Sequence, residues 1–275
     1  MEIKFYAPRW GNRHLTWTDF LQKVKAAGYN GIEANLSADA DEREEMFTLL
    51  KTHELEWIGQ HFETVTSNFI DHAQQYETRL YALAAAHPIF INAQTGKDFF
   101  TQAQNSHLIE IAERISKETD VSIVHETHRG KFSFCTLATE IYLDKFPNLR
   151  LTADFSHWCC VAESYLQDQQ EILNKAIHRT DHFHCRVGYP GGPQINNPKA
   201  PEWREALDFH LTWWDAIIQN HIEKKSDAVT ITCEFGPFPY MQQLPFTQEP
   251  VSSLWEINLF MKNLLKNRYQ LMIAK

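Results

Sequence analysis

Apolar and polar positions alternate along the chain in two registers. Short runs crowded with apolar and β-branched residues recur from end to end: 3–8 (IKFYAP), 31–36 (GIEANL), 56–62 (EWIGQHF), 88–94 (PIFINAQ), 121–127 (VSIVHET), 149–155 (LRLTADF), 181–187 (DHFHCRV) and 229–235 (VTITCEF). Between them lie longer segments whose apolar residues fall every three to four positions, the period of a helix with one buried face. In TDFLQKVKAAG the residues Phe20, Leu21, Val24 and Ala27 form that face and Gly28 supplies a stop; in SHLIEIAERISKE the same work falls to Leu108, Ile111, Ala112 and Ile115. Eight strands alternating with helices predict parallel pairing, because parallel neighbours need a crossover of about a dozen residues or more.

The polar residues that close these runs are Glu33, His61, Asn92, Glu126, Asp154, His184 and Glu234, spaced 28 to 34 residues apart until a last gap of 50. One βα unit accounts for each of the shorter gaps. The pattern predicts an α/β chain folded as a single-domain (β/α)8 TIM barrel over residues 1–275. The long gap contains GYPGGPQINNPKAPEW (188–203), a Pro- and Gly-rich loop of the kind that serves as a lid or binding element. The final segment, SLWEINLFMKNLLKN, reads as an amphipathic helix that closes the outer ring.

In a barrel the C-terminal ends of the strands face one mouth, so the four late strands carry their terminal residues, Glu126, Asp154, His184 and Glu234, towards a common point. Taken singly, a strand-end carboxylate is most often a helix N-cap or an ion-pair partner. Three carboxylates brought together would raise each other's pKa unless a cation sits among them. Three oxygen donors and an imidazole suit one divalent ion, Mn, Mg, Co or Zn. Around it, His157 reads as a cap, a supporting residue or a substrate donor, and substrate contact is favoured. His128 and Arg129 follow Glu126 into the mouth or into a solvated loop. Arg186 shares the face of His184, to meet an anionic or hydroxylated substrate or to pair with Glu126 or Glu234. Asn92, His61 and Glu33, at the ends of earlier strands, are assigned to substrate binding. Trp10 and Trp158 offer an apolar wall, although core packing is the commoner fate of tryptophan. His125 and His182 are expected to be packed and hydrogen-bonded. By alternation Cys185 and Cys233 point to the helices, away from the mouth.

Composition narrows the partners. A hydrophobic content of 43% supplies a core, and a formal net charge of -9 argues against a nucleic-acid partner. The opening MEIKFYAPRWG lacks the basic and apolar pattern of a signal peptide, and no run of about 18 apolar residues offers a membrane span; a cytoplasmic protein is expected. Five cysteines without a CxxC pair indicate neither a disulfide framework nor a thiolate metal site. An exposed ring of helices leaves room for a homo-oligomer.

These residues resemble the xylose isomerase-like barrel superfamily of sugar and sugar phosphate isomerases and epimerases. AAGYNGIEANL (26–36) is similar to that family's second-strand signature, and Glu126, Asp154 with His157, His184 and Glu234 match its metal and substrate pattern strand by strand. The resemblance implies one divalent metal on Glu126, Asp154, His184 and Glu234, His157 on a substrate oxygen, and the two glutamates as acid and base. It implies proton transfer next to the carbonyl of a small carbohydrate. The positions after His184 read Cys185, Arg186, Val187, Gly188, where the ketose 3-epimerases have a glutamate and later an arginine. The apurinic endonucleases share the DxxH spacing of Asp154 and His157, but the histidine and D-x-H that complete their trinuclear cluster have no counterpart here. Two other classes remain: a metal-dependent dehydratase of a cyclic polyol, and a non-catalytic sugar-binding barrel.

Overall fold

The structure, a computed structural model, describes residues 1–273. Strand and helix alternate as β1 (Glu2–Pro8), α1 (Trp17–Ala26), β2 (Gly31–Ala34), α2 (Ala40–His53), β3 (Glu56–His61), α3 (Phe69–Ala85), β4 (Ile91–Ala93), α4 (Gln102–Thr119), β5 (Ile123–Glu126), α5 (Thr136–Lys145), β6 (Leu151–Ala153), α6 (Phe155–Ala162), α7 (Gln170–His178), β7 (Thr180–His184), α8 (Arg204–Glu223), β8 (Ala228–Thr232) and α9 (Leu254–Ile273). All eight strands pair in parallel and in chain order, and β8 returns to β1, so the sheet is a closed (β/α)8 barrel. No described helix is long and apolar enough to cross a membrane.

Local chemistry sets the helix ends. Thr16 caps α1 by accepting from Asp19 N, and Gly28, at φ +70°, ends the turn that follows it. Thr101 and Gln104 form a reciprocal capping box on α4, whose face Leu108, Ile111, Ala112 and Ile115 is buried. The apolar layer lies between barrel and helices, where Phe20, Val24, Ile32, Ile91, Leu151, Phe183 and Ile231 are fully buried. Cys185 and Cys233 are buried in this layer too, and all five cysteines are free.

Two departures from the sequence pattern shape the mouth. The strands stop short of their apolar runs: β6 ends at Ala153 and β8 at Thr232, so Asp154 and Glu234 stand beyond the ladder on chain already turning outward. The connection after β6 holds two helices, because Asp154 caps α6 directly, accepting from Ser156 N, before α7 makes the crossover. The 188–203 loop is a strap packed against the barrel. Tyr189 and Gly192 exchange backbone hydrogen bonds, Ile195 N donates to Val187 O, and the Gln194 amide is hydrogen-bonded at both ends to the Gly236 backbone.

Strand packing demands glycine at Gly31, whose Cβ would stand 2.1 Å from the Glu56 carbonyl oxygen and 2.9 Å from the Tyr6 ring. Gly31→Ala should therefore spread β2 from β3 and cost about 2–4 kcal/mol, read as a lower midpoint in urea. An unchanged midpoint would show that the two strands separate freely.

Candidate active site

Strands β5 to β8 deliver Glu126, Asp154, His184 and Glu234 to one point. Each offers a ligand atom within 4.8 Å of the other three. His184 Nδ1 lies 3.0 Å from Glu234 Oε2, 3.7 Å from Asp154 Oδ2 and 3.9 Å from Glu126 Oε1, and all four residues are buried. The other imidazole nitrogen, Nε2, is 3.1 Å from Glu33 Oε2. A carboxylate on one ring nitrogen fixes the tautomer and turns the other nitrogen, as an acceptor, into the cage.

Electrostatics make this cage uncomfortable by itself. Burial pushes the Glu126 carboxyl up to about 8, His184 opposes that rise, and the charges of Glu234 and Asp154 reinforce it. Against the effect of burial, Glu234 and Glu33 hold the His184 imidazole well above its ordinary value. Asp154 also suffers burial, but Arg186 and His157 hold it far below the usual carboxylate range. His184 Nδ1 faces three carboxylates yet makes no aligned hydrogen bond. Three carboxylate oxygens and one such imidazole nitrogen fit a hard or borderline divalent cation, which would take the place of the protons on Glu126 and His184.

Arg186 braces the cage from the mouth. Its Nη2 pairs with Asp154 Oδ2, its Nε donates to Ser156 Oγ at 3.2 Å, and Nη1 lies 3.6 Å from Glu234 Oε2. The guanidinium lies over the rings of Tyr240 at 4.8 Å and Trp10 at 5.8 Å. His157 Nε2 accepts from Arg186 Nη2 at 2.8 Å, and its ring packs on His128 at 3.8 Å between centroids. Arg186 engages only Nε2 of His157, whose Nδ1 is buried without a hydrogen-bond partner, and His128 is the histidine that reaches the cavity.

Several assigned substrate contacts lie elsewhere. Glu33 and Asn92 are inside the barrel beneath the cage: Asn92 Nδ2 donates to Glu33 Oε1 at 2.7 Å and approaches Glu126 Oε2 at 3.3 Å. His61 faces outward onto Tyr76 of α3 because β3 alternates, with Trp57 and His61 on the helix side and Gln60 at the mouth. Trp158 is a core residue on α6, stacked on Phe155, with its indole N–H donated to Ser133 O at 2.8 Å.

A cavity of about 260 Å³ opens over the cage, with Trp10, Phe62 and Tyr240 as aromatic wall and Gln60, Gln94, His128, Lys131, Arg186 and Glu234 as polar lining. Gln60 Nε2 donates to Glu234 Oε1 at 3.0 Å, and Gln94 Nε2 approaches both Glu126 oxygens at 3.3 Å. Trp10 packs against Gly236, where a Cβ would fall 2.0 Å from the indole. The strap at 188–203 supplies none of this lining; it holds Gly236 under Trp10 from outside. Alternation along β3 would have selected Gln60, whereas Tyr240 and Lys131 sit on loops with no periodicity to expose them. A larger hollow, about 630 Å³, lies on the outer ring between α2 and α3, away from the four cage residues.

No family model matches the chain, and no curated protein matches it in sequence. Solved structures do match it over nearly its full length. The 3-keto-D-glucoside 4-epimerase of E. coli superimposes with a TM-score of 0.65 at 13% identity, covering 97% of this chain and 100% of its own. A probable 3-DHS dehydratase involved in petrobactin synthesis from Bacillus anthracis gives 0.61 at 18%, covering 96% and 99%. A xylose isomerase-like TIM barrel protein from Mycobacterium smegmatis, in complex with magnesium, gives 0.56 at 12%, covering 91% and 88%. At these identities the likeness establishes the fold.

Two measurements probe the cage. Divalent metal requires Glu126 and His184 deprotonated, and both hold protons near neutrality in the metal-free protein, so Mn2+ binding should release protons. Affinity should rise with pH through the region around 8 where Glu126 gives up its proton; calorimetry in buffers of different ionisation enthalpy reads both effects, and a flat affinity from about pH 6.5 to 8.5 would contradict them. Glu33→Gln, which frees the His184 ring, should weaken Mn2+ by about 10- to 100-fold without removing a ligand.

Proposed function

Proceeding from the xylose isomerase-like fold, we propose that this protein is a divalent-metal-dependent isomerase or epimerase of a small carbohydrate, acting by proton transfer next to a carbonyl. The observation that carries the reading is the convergence of Glu126, Asp154, His184 and Glu234 under a monosaccharide-sized cavity. Glu126, Asp154, His184 and Glu234 would hold the metal, which supplies Lewis-acid polarisation of a carbonyl and its neighbouring hydroxyl.

The remaining work belongs to the chain. Trp10, Phe62 and Tyr240 exclude water from one face of a bound sugar, and Gln60 and Gln94 fix the orientation of the two glutamates. Glu234 lines the cavity whereas Glu126 is fully buried, so Glu234 is the base that meets a substrate C–H first. The C–H bond breaks, its proton passes to a Glu234 carboxylate oxygen, and the electron pair moves onto the carbonyl oxygen. Return of a proton to the opposite face of the same carbon gives an epimer; return to the adjacent carbon gives the aldose–ketose isomer. Glu126 is the second carboxyl available for that return. A complete ligand set beneath an aromatic-walled cavity favours catalysis over a binding role.

Dehydration of a cyclic polyol is the second reading. It shares the proton abstraction and then needs a donor for a departing hydroxyl, and the Tyr240 hydroxyl, 3.4 Å from His128 Nε2 in the cavity, supports it. Such a fold also serves a dehydratase.

Glu234→Gln and Glu126→Gln should each lower exchange of solvent deuterium into a panel of ketoses and aldoses by about 100-fold or more. Near neutrality Glu126→Gln replaces a protonated carboxyl with an isosteric amide and should leave the stability of the metal-free fold little changed, whereas Glu234→Gln takes a carboxylate from beside His184 and Arg186 and should lower it. Manganese content measured on the same samples separates a lost ligand from a lost base. Full exchange in both variants would end the acid/base assignment, and a product lighter by one water would favour dehydration.

A further inference from the structure

The chain leaves β5 through a tight turn that throws Lys131 back over the mouth. Lys131 N donates to His128 O at 3.1 Å, and Gly130 at the third position takes φ +76°, a conformation that glycine adopts without strain. Phe132 N then donates to Thr95 O at 3.2 Å, and the Phe132 ring is buried against His125 and Tyr142. Between turn and anchor Lys131 has nowhere to go but inward. It is 6% exposed and lines the cavity beside Gln94, His128 and Arg186.

Its ammonium is unmatched. Arg186, the other cation in the wall, is paired with Asp154 and Glu234. Among the described residues Lys131 makes neither an ion pair nor a side-chain hydrogen bond. Gln60 and Gln94 direct their amide N–H groups towards Glu234 and Glu126. An ammonium largely withdrawn from water and without a charged partner is costly, and a second lysine, Lys97, lies near enough to repel it. Burial and then Lys97 bring the Lys131 amine down to about 8, offset in part by Glu126 and Asp98. If only the stem were needed for packing, a methionine would fill the same space without that cost.

We propose that Lys131 receives an anionic group of the substrate, a carboxylate or a phosphate ester, so that the enzyme acts on a sugar acid or a sugar phosphate and discriminates against the neutral sugar. The inference rests on the proton-transfer reading for the reaction, but the binding step is separable from it. Lys131 acts as a specificity-determining donor within the same small cavity that holds the reacting carbons, which limits the substrate to about one monosaccharide and its charged end.

The test is calorimetric titration of manganese-loaded wild type, Lys131→Met and Lys131→Arg with D-gluconate, D-fructose 6-phosphate, inorganic phosphate and D-fructose. Wild type should bind an anionic sugar at least about ten-fold more tightly than fructose, Lys131→Met should lose that preference, and Lys131→Arg should keep most of it. Preference for gluconate identifies the carboxylate; preference for fructose 6-phosphate together with inorganic phosphate identifies the ester. Binding of neither anionic sugar, equal binding of all sugars, or a preference that survives in Lys131→Met overturns the proposal. Thermal melting shows whether Lys131→Met is folded. Absence of deuterium exchange alongside an intact, Lys131-dependent preference would sink the proton-transfer reading and leave the anion site standing.

Discussion

Glu33, Glu126, Asp154 and Glu234 all lose their hydration at or below the mouth of the barrel, and each can remain ionised only beside a cation or a donor. Much of the surrounding structure answers that demand. Arg186 is drawn in against Asp154 and Glu234, His184 is held between Glu33 and the other three, and Asn92, Gln60 and Gln94 spend their amides on carboxylate oxygens. Even so, burial, with Glu234 and Asp154 adding to it, keeps the Glu126 proton on to about 8 despite His184 and Arg186. A divalent ion bound there would supply the missing positive charge.

The same demand explains the layering of the barrel. Its outer apolar layer is ordinary, but the interior at the level of Glu33 is a polar stack, with His182 hydrogen-bonded to Thr230 and near both Glu33 and Thr232. A carboxylate that must orient His184 needs this supporting stack, because a ring held by one hydrogen bond would swing. Above the cage the strap at 188–203 and the loop after β8 are tied through Gln194 and Gly236, so that Trp10 and Tyr240 form a fixed wall. The cavity wall is held from outside by the Gln194 side chain, which bonds both backbone groups of Gly236.

Barrels of this fold include an epimerase and a probable dehydratase, so the fold by itself does not choose a chemistry. Here the wall combines aromatic rings with a paired arginine and a lysine that makes no ion pair among the described residues. Glu234 in the wall and Glu126 beneath it are unequal in access to the cavity.

The sequence by itself determined the architecture. Eight apolar runs at near-constant spacing admit little besides a closed parallel barrel, and the alternation within β5 to β8 placed Glu126, Asp154, His184 and Glu234 at one end of it. Local periodicity carries that information because strand and helix fix the direction of each side chain. What it cannot carry is the fate of residues beyond the ladder or on its early strands. Tertiary structure sent His61 and Trp158 into the helix layer, put Glu33 and Asn92 under the cage, and gave His157 to Arg186. It also brought Lys131 and Tyr240, from loops without period, to face one another's neighbours across the cavity. Those placements depend on which distant group satisfies each buried charge, a balance that exists only once the barrel has closed.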